Sequence, residues 1–186
     1  DALGGLMGVA ADLSGIQFRL LNRSKGPAVQ GPRTQSDRSL YKKAVQDILF
    51  FEKNITIIES EVVDIFIEKE AVKGVELEDG TKLGTSSAIL KTGTFLNGVI
   101  RIGEEKIEAG RAGDFTSLKL AEKIRGIGLN TGRLKTGTPA RLSSKTINWS
   151  IVETQKPDDK PTLFSFLHKN PFQRQISCGI TYTNNN

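Results

Sequence analysis

Cysteine, histidine, tryptophan and methionine are nearly absent from this sequence, which has one copy of each among 186 residues. Because a disulfide needs two thiols, the single Cys178 excludes an intrachain disulfide, which fits a reducing compartment. One cysteine and one histidine do not supply the ligands of a structural zinc site, so we expect no metal centre. No run approaches the roughly 18 apolar residues of a membrane helix, so we expect no membrane association.

A GxGxxG phosphate cradle between a strand and a helix is also missing. Gly4, Gly5 and Gly8 lie where apolar residues have helical spacing, so they do not follow a strand. The chain starts at Asp1 inside that helical pattern and stops in three asparagines. We therefore expect an internal fragment of a longer protein.

The residues that are present are typical of a folded protein. Hydrophobic residues make up 37% and charged residues 25% of the sequence, which argues against disorder. There are 26 basic and 21 acidic residues, a net charge of +5. Such an excess is compatible with a phosphate-rich partner, and equally with a mildly basic solvated surface.

Hydrophobic periodicity predicts alternating helices and strands. We expect a first helical segment, then a short strand near 16–21 and an irregular loop over 24–36, where proline and glycine recur. The later predictions are a helix from Ser36 or Asp37 to about Phe51, strands at 55–58, 62–68 and 87–90, a hairpin turning at Asp79-Gly80, a loop-rich segment over 95–114, a helix capped by Asp114, and strands at 163–167 and 176–182.

This order is typical of an α/β flavoprotein. A helix, a strand, a small antiparallel hairpin and a strand ending in TGT predict an FAD-binding, Rossmann-like three-layer domain that lacks its first β-α unit. We assign it to residues 1–141. The composition changes after Ser143, so 142–186 are predicted to begin an inserted β-rich domain.

Thr92-Gly93-Thr94 follows an apolar run, where glycine allows close approach of a ligand and threonine offers hydroxyls. The residues alone favour an ordinary strand-to-loop turn there. His168 has no convincing nucleophile or acid beside it, so we assign it no catalytic role. Cys178, in an apolar segment, is interpreted as a structural thiol.

Cations lie near two loops. Lys25, Arg33 and Arg38 are predicted either to bind a carboxylate or phosphate or to form surface ion pairs with Asp37. A second group, formed by Arg133, Lys135 and Arg141, surrounds a glycine- and threonine-rich segment. This group fits a polyanion contact or, equally well, a solvated basic strand.

Taken together, these motifs resemble the MnmG (GidA) family of tRNA wobble-uridine modification enzymes. The similarity extends over the whole chain in order and spacing. Its strings are DALGGLM (1–7), GIQFR (15–19), SKGPAV (24–29), TGTFL (92–96), GRAGD (110–114), GRLKTGTP (132–139) and ITYTN (180–184), with Arg33, Gln35, Asp37, Arg38 and Tyr41 between them.

The resemblance implies a homodimeric FAD enzyme that works with a GTPase partner, MnmE. With NADH and methylenetetrahydrofolate as co-substrates, such an enzyme adds a carboxymethylaminomethyl or aminomethyl group at C5 of the wobble uridine of certain tRNAs. It also implies FAD contacts at Val62 and Ser117, with Thr92, Gly93 and Thr94 beside the flavin. The catalytic residues stay unassigned, and Lys25, Arg33, Arg38, Arg133 and Lys135 are candidate contacts to tRNA or substrate.

Two other functions stay open at this point. A folate-dependent tRNA uridine methyltransferase flavoprotein shares FAD and folate chemistry, and a non-catalytic RNA-binding fragment would need only the basic loops. We expect a bacterial cytoplasmic parent protein, with a mitochondrial one as the alternative. The fragment itself is expected to be inactive, because the phosphate loop is missing.

Overall fold

A computed structural model of the protein describes residues 1–111, 113–137, 139 and 141–183. Three motif residues, Ala112, Thr138 and Asn184, lie outside this set. The helices are α1 (Met7–Ser14), α2 (Arg38–Phe50) and α3 (Leu118–Gly126), and the strands are β1 (Gly15–Leu21), β2 (Gly31–Ser36), β3 (Val62–Glu68), β4 (Ala71–Leu77), β5 (Lys82–Gly84), β6 (Val99–Ile102), β7 (Glu105–Glu108), β8 (Glu153–Gln155) and β9 (Cys178–Ile180).

The chain forms two compact units. The first contains residues 1–56 and the described residues from 139 onward, and the second contains the described residues of 57–138. The boundary predicted near residue 141 is close to the point where the chain returns to the first unit. The assignment of 1–141 and 142–186 to a cofactor domain and an inserted domain stays a prediction.

In the first unit, α1 leads directly into β1, which pairs with β2 in an antiparallel ladder. Ala10 of α1 and Phe18 of β1 are completely buried and form its apolar centre. The polar side chains of Asp12, Ser14 and Gln17 are buried beside them. Since buried polar groups need partners, this unit depends on specific hydrogen bonds as well as on apolar packing.

The prediction of an irregular loop over 24–36 is wrong for its second half. Pro27–Val29 form a single 3₁₀ turn, and residues 31–36 form β2, with Pro32 opposite Leu20. Proline is tolerated in an edge strand because its missing N–H is not needed there. Counting prolines and glycines could not reveal that β1 offered a free edge.

Helix α2 begins as the sequence predicts, with Asp37 as its N-cap. The Asp37 carboxylate accepts hydrogen bonds from the backbone N–H groups of Ser39 and Leu40, both at 2.9 Å. These groups have no partner within the helix, so the cap satisfies two of its free donors. Ala44 faces inward and is buried.

We expect Asp37→Ala to lower the free energy of unfolding by about 1 kcal/mol, because both N–H groups lose their acceptor. Urea unfolding followed by the fluorescence of Trp149, which lies in the same unit, measures the change. Asp37→Ser keeps a capping oxygen and is the matched control. An equal loss in both variants would mean that the cap is not the source of the effect.

The outer edge of β1 is occupied by segments from late in the chain. The Asp158 N–H donates to the Phe18 carbonyl at 3.0 Å, and the Ile176 N–H donates to the Ile16 carbonyl at 2.7 Å. Strands β8 and β9 pair nearby, so the strand predicted at 176–182 is confirmed only at its centre. The strand predicted at 163–167 does not form, because the N–H groups of Phe164, Ser165 and Phe166 bond to aspartate side chains instead.

In the second unit, β3, β4 and β5 form an antiparallel sheet in that order. The predicted hairpin and its Asp79-Gly80 turn are confirmed, and the Asp79 carboxylate accepts the Thr81 N–H at 2.9 Å. Helix α3 lies on β3, where Ile65, Leu120 and Ile124 form a buried cluster. Val62 and Leu96 pack against this cluster.

Two strand predictions in this part of the chain are wrong. Residues 55–58 and 87–90 have no strand partner among the described residues and stay irregular. Their side chains are exposed, with Ile89 96% accessible. An apolar run predicts burial, but a strand also requires a hydrogen-bonded neighbour.

The confirmed fold class is therefore mixed α/β with small antiparallel sheets. Every named strand pair among the described residues is antiparallel, so a parallel Rossmann sheet is not visible here. The segment expected to be loop-rich contains the β6–β7 hairpin. Helix α3 is preceded by Ser117 rather than capped by Asp114, which pairs with Arg111 at 2.7 Å.

No helix in the part of the chain that the structure describes is both long enough and apolar enough to cross a membrane. Within the same residues, no three His, Cys, Asp or Glu side chains lie together in a way that could hold a metal ion.

Candidate functional site

The Thr92-Gly93-Thr94 segment forms a tight turn. Gly93 adopts a φ of +57°, in the left-handed region that glycine enters without strain. The Phe95 N–H donates to the Thr92 carbonyl at 3.2 Å and closes the turn. The Thr94 hydroxyl donates to the Gly110 carbonyl at 3.0 Å, which ties this turn to the GRAGD segment.

The residues after the turn are held by the segment that precedes α3. The Phe95 carbonyl accepts from the Ser117 N–H at 2.9 Å and from the Thr116 hydroxyl at 2.7 Å. The same hydroxyl accepts the Gly98 N–H at 2.6 Å. An isolated parallel bridge joins Leu96 to Ser117. The turn is thus fixed relative to the start of α3.

Ser117 connects this segment to the beginning of β3. Its hydroxyl donates to the Glu61 carboxylate at 2.8 Å, and Glu61 directly precedes Val62. Val62 itself is half-buried, packs against the core cluster and lies opposite Leu77. The five residues predicted to contact FAD therefore lie on three segments that hydrogen bonds connect, at the N-terminal end of α3.

Sequence reasoning did not find Glu61 or Thr116. Glu61 places a carboxylate at the N-terminus of α3, where the helix dipole favours negative charge. Its only signal in the sequence is its position next to Val62. Thr116 gave no signal at all, because a hydroxyl that bridges two backbone groups is visible only after folding.

The predicted cations of the second unit differ in their environment. The Arg133 guanidinium donates to the Asn97 carbonyl at 3.0 Å, just after the TGTFL segment. Lys135 is exposed and follows in the same irregular segment. Arg133 therefore contacts Asn97, whose own N–H donates to the carbonyl of Ser117 at 3.2 Å.

The predicted cations of the first unit do not form one cluster. Arg33 lies in β2 and donates to the Gln155 side chain at 3.3 Å, while Lys25 and Arg38 are exposed. Among the described residues, no hydrogen bond or ion pair joins these three side chains, and none joins them to Asp37. The ion-pair alternative is therefore not supported, and a role in substrate binding stays a prediction.

Cys178 belongs to a network of amides rather than to a dry core. The Gln35 side chain donates to the Cys178 sulfur at 3.3 Å and to the side-chain Oε1 of Gln17 at 3.1 Å. Gln17 in turn donates to the Gln155 backbone at 3.1 Å. This polar chain links β1, β2, β8 and β9, and Cys178 is half-buried within it.

Asp158 is a carboxylate held beside β1 by a backbone donor and an arginine. It accepts from the Leu20 N–H at 2.7 Å and pairs with Arg23 at 2.8 Å. Partial burial works to raise the pKa of Asp158, but the Leu20 hydrogen bond and the Arg23 charge outweigh it and hold that pKa below its ordinary value. The charged carboxylate therefore stabilises the fold.

Because the folded-state pKa of Asp158 is lowered, its contribution is fully present above the ordinary aspartate pKa of about 3.9. The contribution disappears as the pH falls through the lower folded-state value. We expect Asp158→Asn to reduce the free energy of unfolding at neutral pH. Below about pH 4, the free energy of unfolding of this variant should decrease less with falling pH than that of the wild type. The test is the urea concentration at the midpoint of unfolding, measured at a series of pH values from acidic to neutral. The control is Asp159→Asn, because Asp159 is exposed. Parallel acid curves for wild type and Asp158→Asn would contradict it.

A family model described as glucose inhibited division protein A matches residues 1–186. The chain belongs to the GidA family.

Curated relatives agree with this assignment. The chain is 49% identical over 186 residues to the tRNA uridine 5-carboxymethylaminomethyl modification enzyme MnmG of Granulibacter bethesdensis, covering 98% of this chain and 30% of that protein. It is 50% identical over 184 residues to the MnmG of Thermodesulfovibrio yellowstonii, covering 99% and 30%. The chain thus spans about 30% of the length of these relatives.

A solved GidA structure has the same fold. Aquifex aeolicus GidA, in its form I crystal, matches with a TM-score of 0.89 and 41% identity over 96% of this chain and 31% of that one. The sequence resemblance to this family is therefore confirmed. The residues assigned to cofactor and substrate in this GidA chain stay predictions.

Proposed function

We propose that this chain is part of an FAD- and NADH-dependent enzyme that modifies the wobble uridine of certain tRNAs at C5. The added group is carboxymethylaminomethyl or aminomethyl, with methylenetetrahydrofolate supplying the one-carbon unit. One observation carries the proposal: in a GidA-family chain, the segments around Val62, Thr92–Thr94 and Ser117 are joined by hydrogen bonds. The curated relatives are named as tRNA uridine 5-carboxymethylaminomethyl modification enzymes.

The donor set at these segments fits a dinucleotide. Ser117 and Thr92 offer hydroxyls, Gly93 allows the backbone to approach a ligand, and the first turn of α3 directs N–H groups outward. We propose that these residues and the backbone at Val62 hold FAD, as part of a Rossmann-like FAD-binding domain. When bound, FAD supplies the capacity to accept electrons from NADH.

We assign the side chains of this chain to binding and orienting the cofactor and substrate. We assign none of them a chemical step. The Glu61 carboxylate accepts the Ser117 hydroxyl and so fixes that side chain at the start of α3. The contacts from Thr116 keep the turn at Thr92–Thr94 in place. We propose tRNA as substrate, with Lys25, Arg33, Arg38, Arg133 and Lys135 as candidate contacts.

The assembly is part of the same proposal. We propose that the longer parent protein forms a homodimer, works with the GTPase MnmE, and acts in the bacterial cytoplasm. These statements rest on membership of the GidA family, since the chain covers about 30% of its curated relatives.

The visible absorption spectrum of the full-length parent protein tests the cofactor part. We expect flavin bands that bleach when NADH is added without oxygen. Ser117→Ala and Gly93→Val should reduce flavin content, whereas Arg101→Ala on the β6–β7 hairpin should not. A folded but colourless parent protein would contradict the proposal and favour an RNA-binding module without redox chemistry.

A further inference from the structure

A cleft of about 420 Å³ lies beside α3 in the second unit. Its floor is apolar and is formed by Leu96, Ala121 and Ile124, of which the last two are buried. Arg125 from the last turn of α3 and Arg133 from the following segment line its sides. Asn97, Thr131 and Gly132 complete the lining.

The cleft carries uncompensated positive charge. None of its lining residues is acidic, and among the described residues Arg125 takes part in no ion pair. Among the residues that the structure describes, Arg133 bonds only to the neutral Asn97 carbonyl. Since the described contacts place no carboxylate against either guanidinium, both keep donors for an external anion.

A neighbouring groove shows the contrasting case. It is lined by Lys119 and Lys123, but also by Asp64, Glu76 and Glu122. Lys123 pairs with Asp64 at 2.8 Å, and the hydrogen bond from this ammonium group lowers the pKa of Asp64 below its ordinary value. Its three carboxylates outnumber its two ammonium groups, so this groove has no surplus positive charge for an anion.

Leu96 and Asn97 of the cleft contact Ser117, but Arg125 lies at the opposite end of α3 from this predicted cofactor contact. Ser117 precedes α3, whereas Arg125 lies in its last turn, and the nine residues of the helix span about 13 Å. A phosphate at Arg125 therefore has a different location from one at the helix N-terminus.

We infer that this cleft binds a phosphodiester group of the RNA substrate, with Arg125 and Arg133 as the ligands. The planar guanidinium matches phosphate oxygens in pairs, and the apolar floor suits a nucleotide base next to the phosphate. The inference rests on the proposed function, because it takes RNA as the substrate. It adds Arg125, which sequence reasoning did not select.

The test uses the full-length parent protein and an unmodified tRNA transcript, with binding measured across a series of salt concentrations. Each of Arg125→Gln and Arg133→Gln should weaken binding about sixfold near 0.1 M salt and reduce the slope of log K against log salt by about 0.7–0.9. Arg125→Lys should recover part of the affinity, because it restores charge but not the paired geometry.

The control is Arg101→Gln, which removes the same charge from an exposed position on β6 outside the cleft. An equal loss in this control would overturn the inference, since the effect would then be general charge. A loss of flavin from the Arg125 variant with unchanged tRNA affinity would also overturn it, because the cleft would then serve the cofactor.

Failure of the proposed function is a distinct outcome. If the wild-type protein forms no modified uridine, but the two cleft variants still bind tRNA more weakly than Arg101→Gln, the inference stands without that reaction. If the enzyme modifies tRNA and the cleft variants bind it like wild type, the inference fails and the proposed function stands.

Discussion

Asp12→Ala is expected to lower the free energy of unfolding by about 3 kcal/mol, since buried N–H groups left without an acceptor cost roughly 1–3 kcal/mol each. Asp12 is completely buried in α1. Its carboxylate accepts the N–H groups of Phe164 and Ser165, both at 2.9 Å, and lies 3.0 Å from Nδ1 of His168. One side chain thus fixes a loop more than 150 residues away.

The change is measured by urea unfolding with Trp149 fluorescence, because this residue lies in the same unit. Asp1→Ala is the matched control, since Asp1 bonds the Ser165 hydroxyl and the Phe166 N–H of the same loop but is itself exposed. Its effect should stay below about 1 kcal/mol, in the range of exposed surface contacts. Similar losses in the two variants would show that burial of the Asp12 contacts is not decisive.

Gly98→Ala is expected to destabilise the second unit by about 3 kcal/mol, from overpacking plus weakened hydrogen bonds. A Cβ at this position would lie 2.6 Å from the Thr94 carbonyl oxygen and 2.8 Å from the Ala109 carbonyl oxygen. These are backbone atoms and cannot rotate away. Gly98 also donates to Thr116 and accepts from the Ala109 N–H, so a shift would disturb the turn at Thr92–Thr94.

Hydrogen exchange of the α3 amides reports on this unit. Gly98→Ala should speed their exchange, and in the full-length protein it should also reduce flavin content. The control is Gly126→Ala in the last turn of α3, where an added Cβ meets nothing within 4 Å. That variant should leave stability unchanged or raise it by up to about 1 kcal/mol. Unchanged protection in Gly98→Ala would refute the close packing described here.

Local patterns predicted the elements that depend on local interactions. The Asp79-Gly80 hairpin and helix α2, with its Asp37 cap, were correct because the turn and the cap are formed by neighbouring residues. Strand β2 was missed because it depends on the edge of β1. The strands expected at 55–58 and 87–90 were wrong because an apolar run does not specify a partner strand.

Long-range polar contacts could not be derived from the sequence. Nothing near Asp12 indicates that its carboxylate binds the backbone of Phe164 and Ser165. Asp158 likewise reaches back to Leu20 and Arg23. Such pairs lack a characteristic spacing, so only the folded chain shows them.

The candidate site was reached by resemblance rather than by spacing. The residues alone favoured an ordinary turn at Thr92–Thr94, and the family motifs reversed that interpretation. The structure connects this turn to Ser117 and Glu61, which gives the prediction a geometric basis. For Arg133 the sequence identified the cation but could not place Arg125 beside the same cleft.

The most direct test of the central claim is nucleoside mass spectrometry on tRNA treated with the full-length parent protein. The reaction contains an MnmE GTPase, GTP, NADH, methylenetetrahydrofolate, and either glycine or ammonium. We predict wobble uridine carrying carboxymethylaminomethyl with glycine and aminomethyl with ammonium, no product when NADH is omitted, and less product when Gly98→Ala replaces the wild type. Unmodified uridine in the complete reaction, with flavin-loaded and folded protein, would contradict the account.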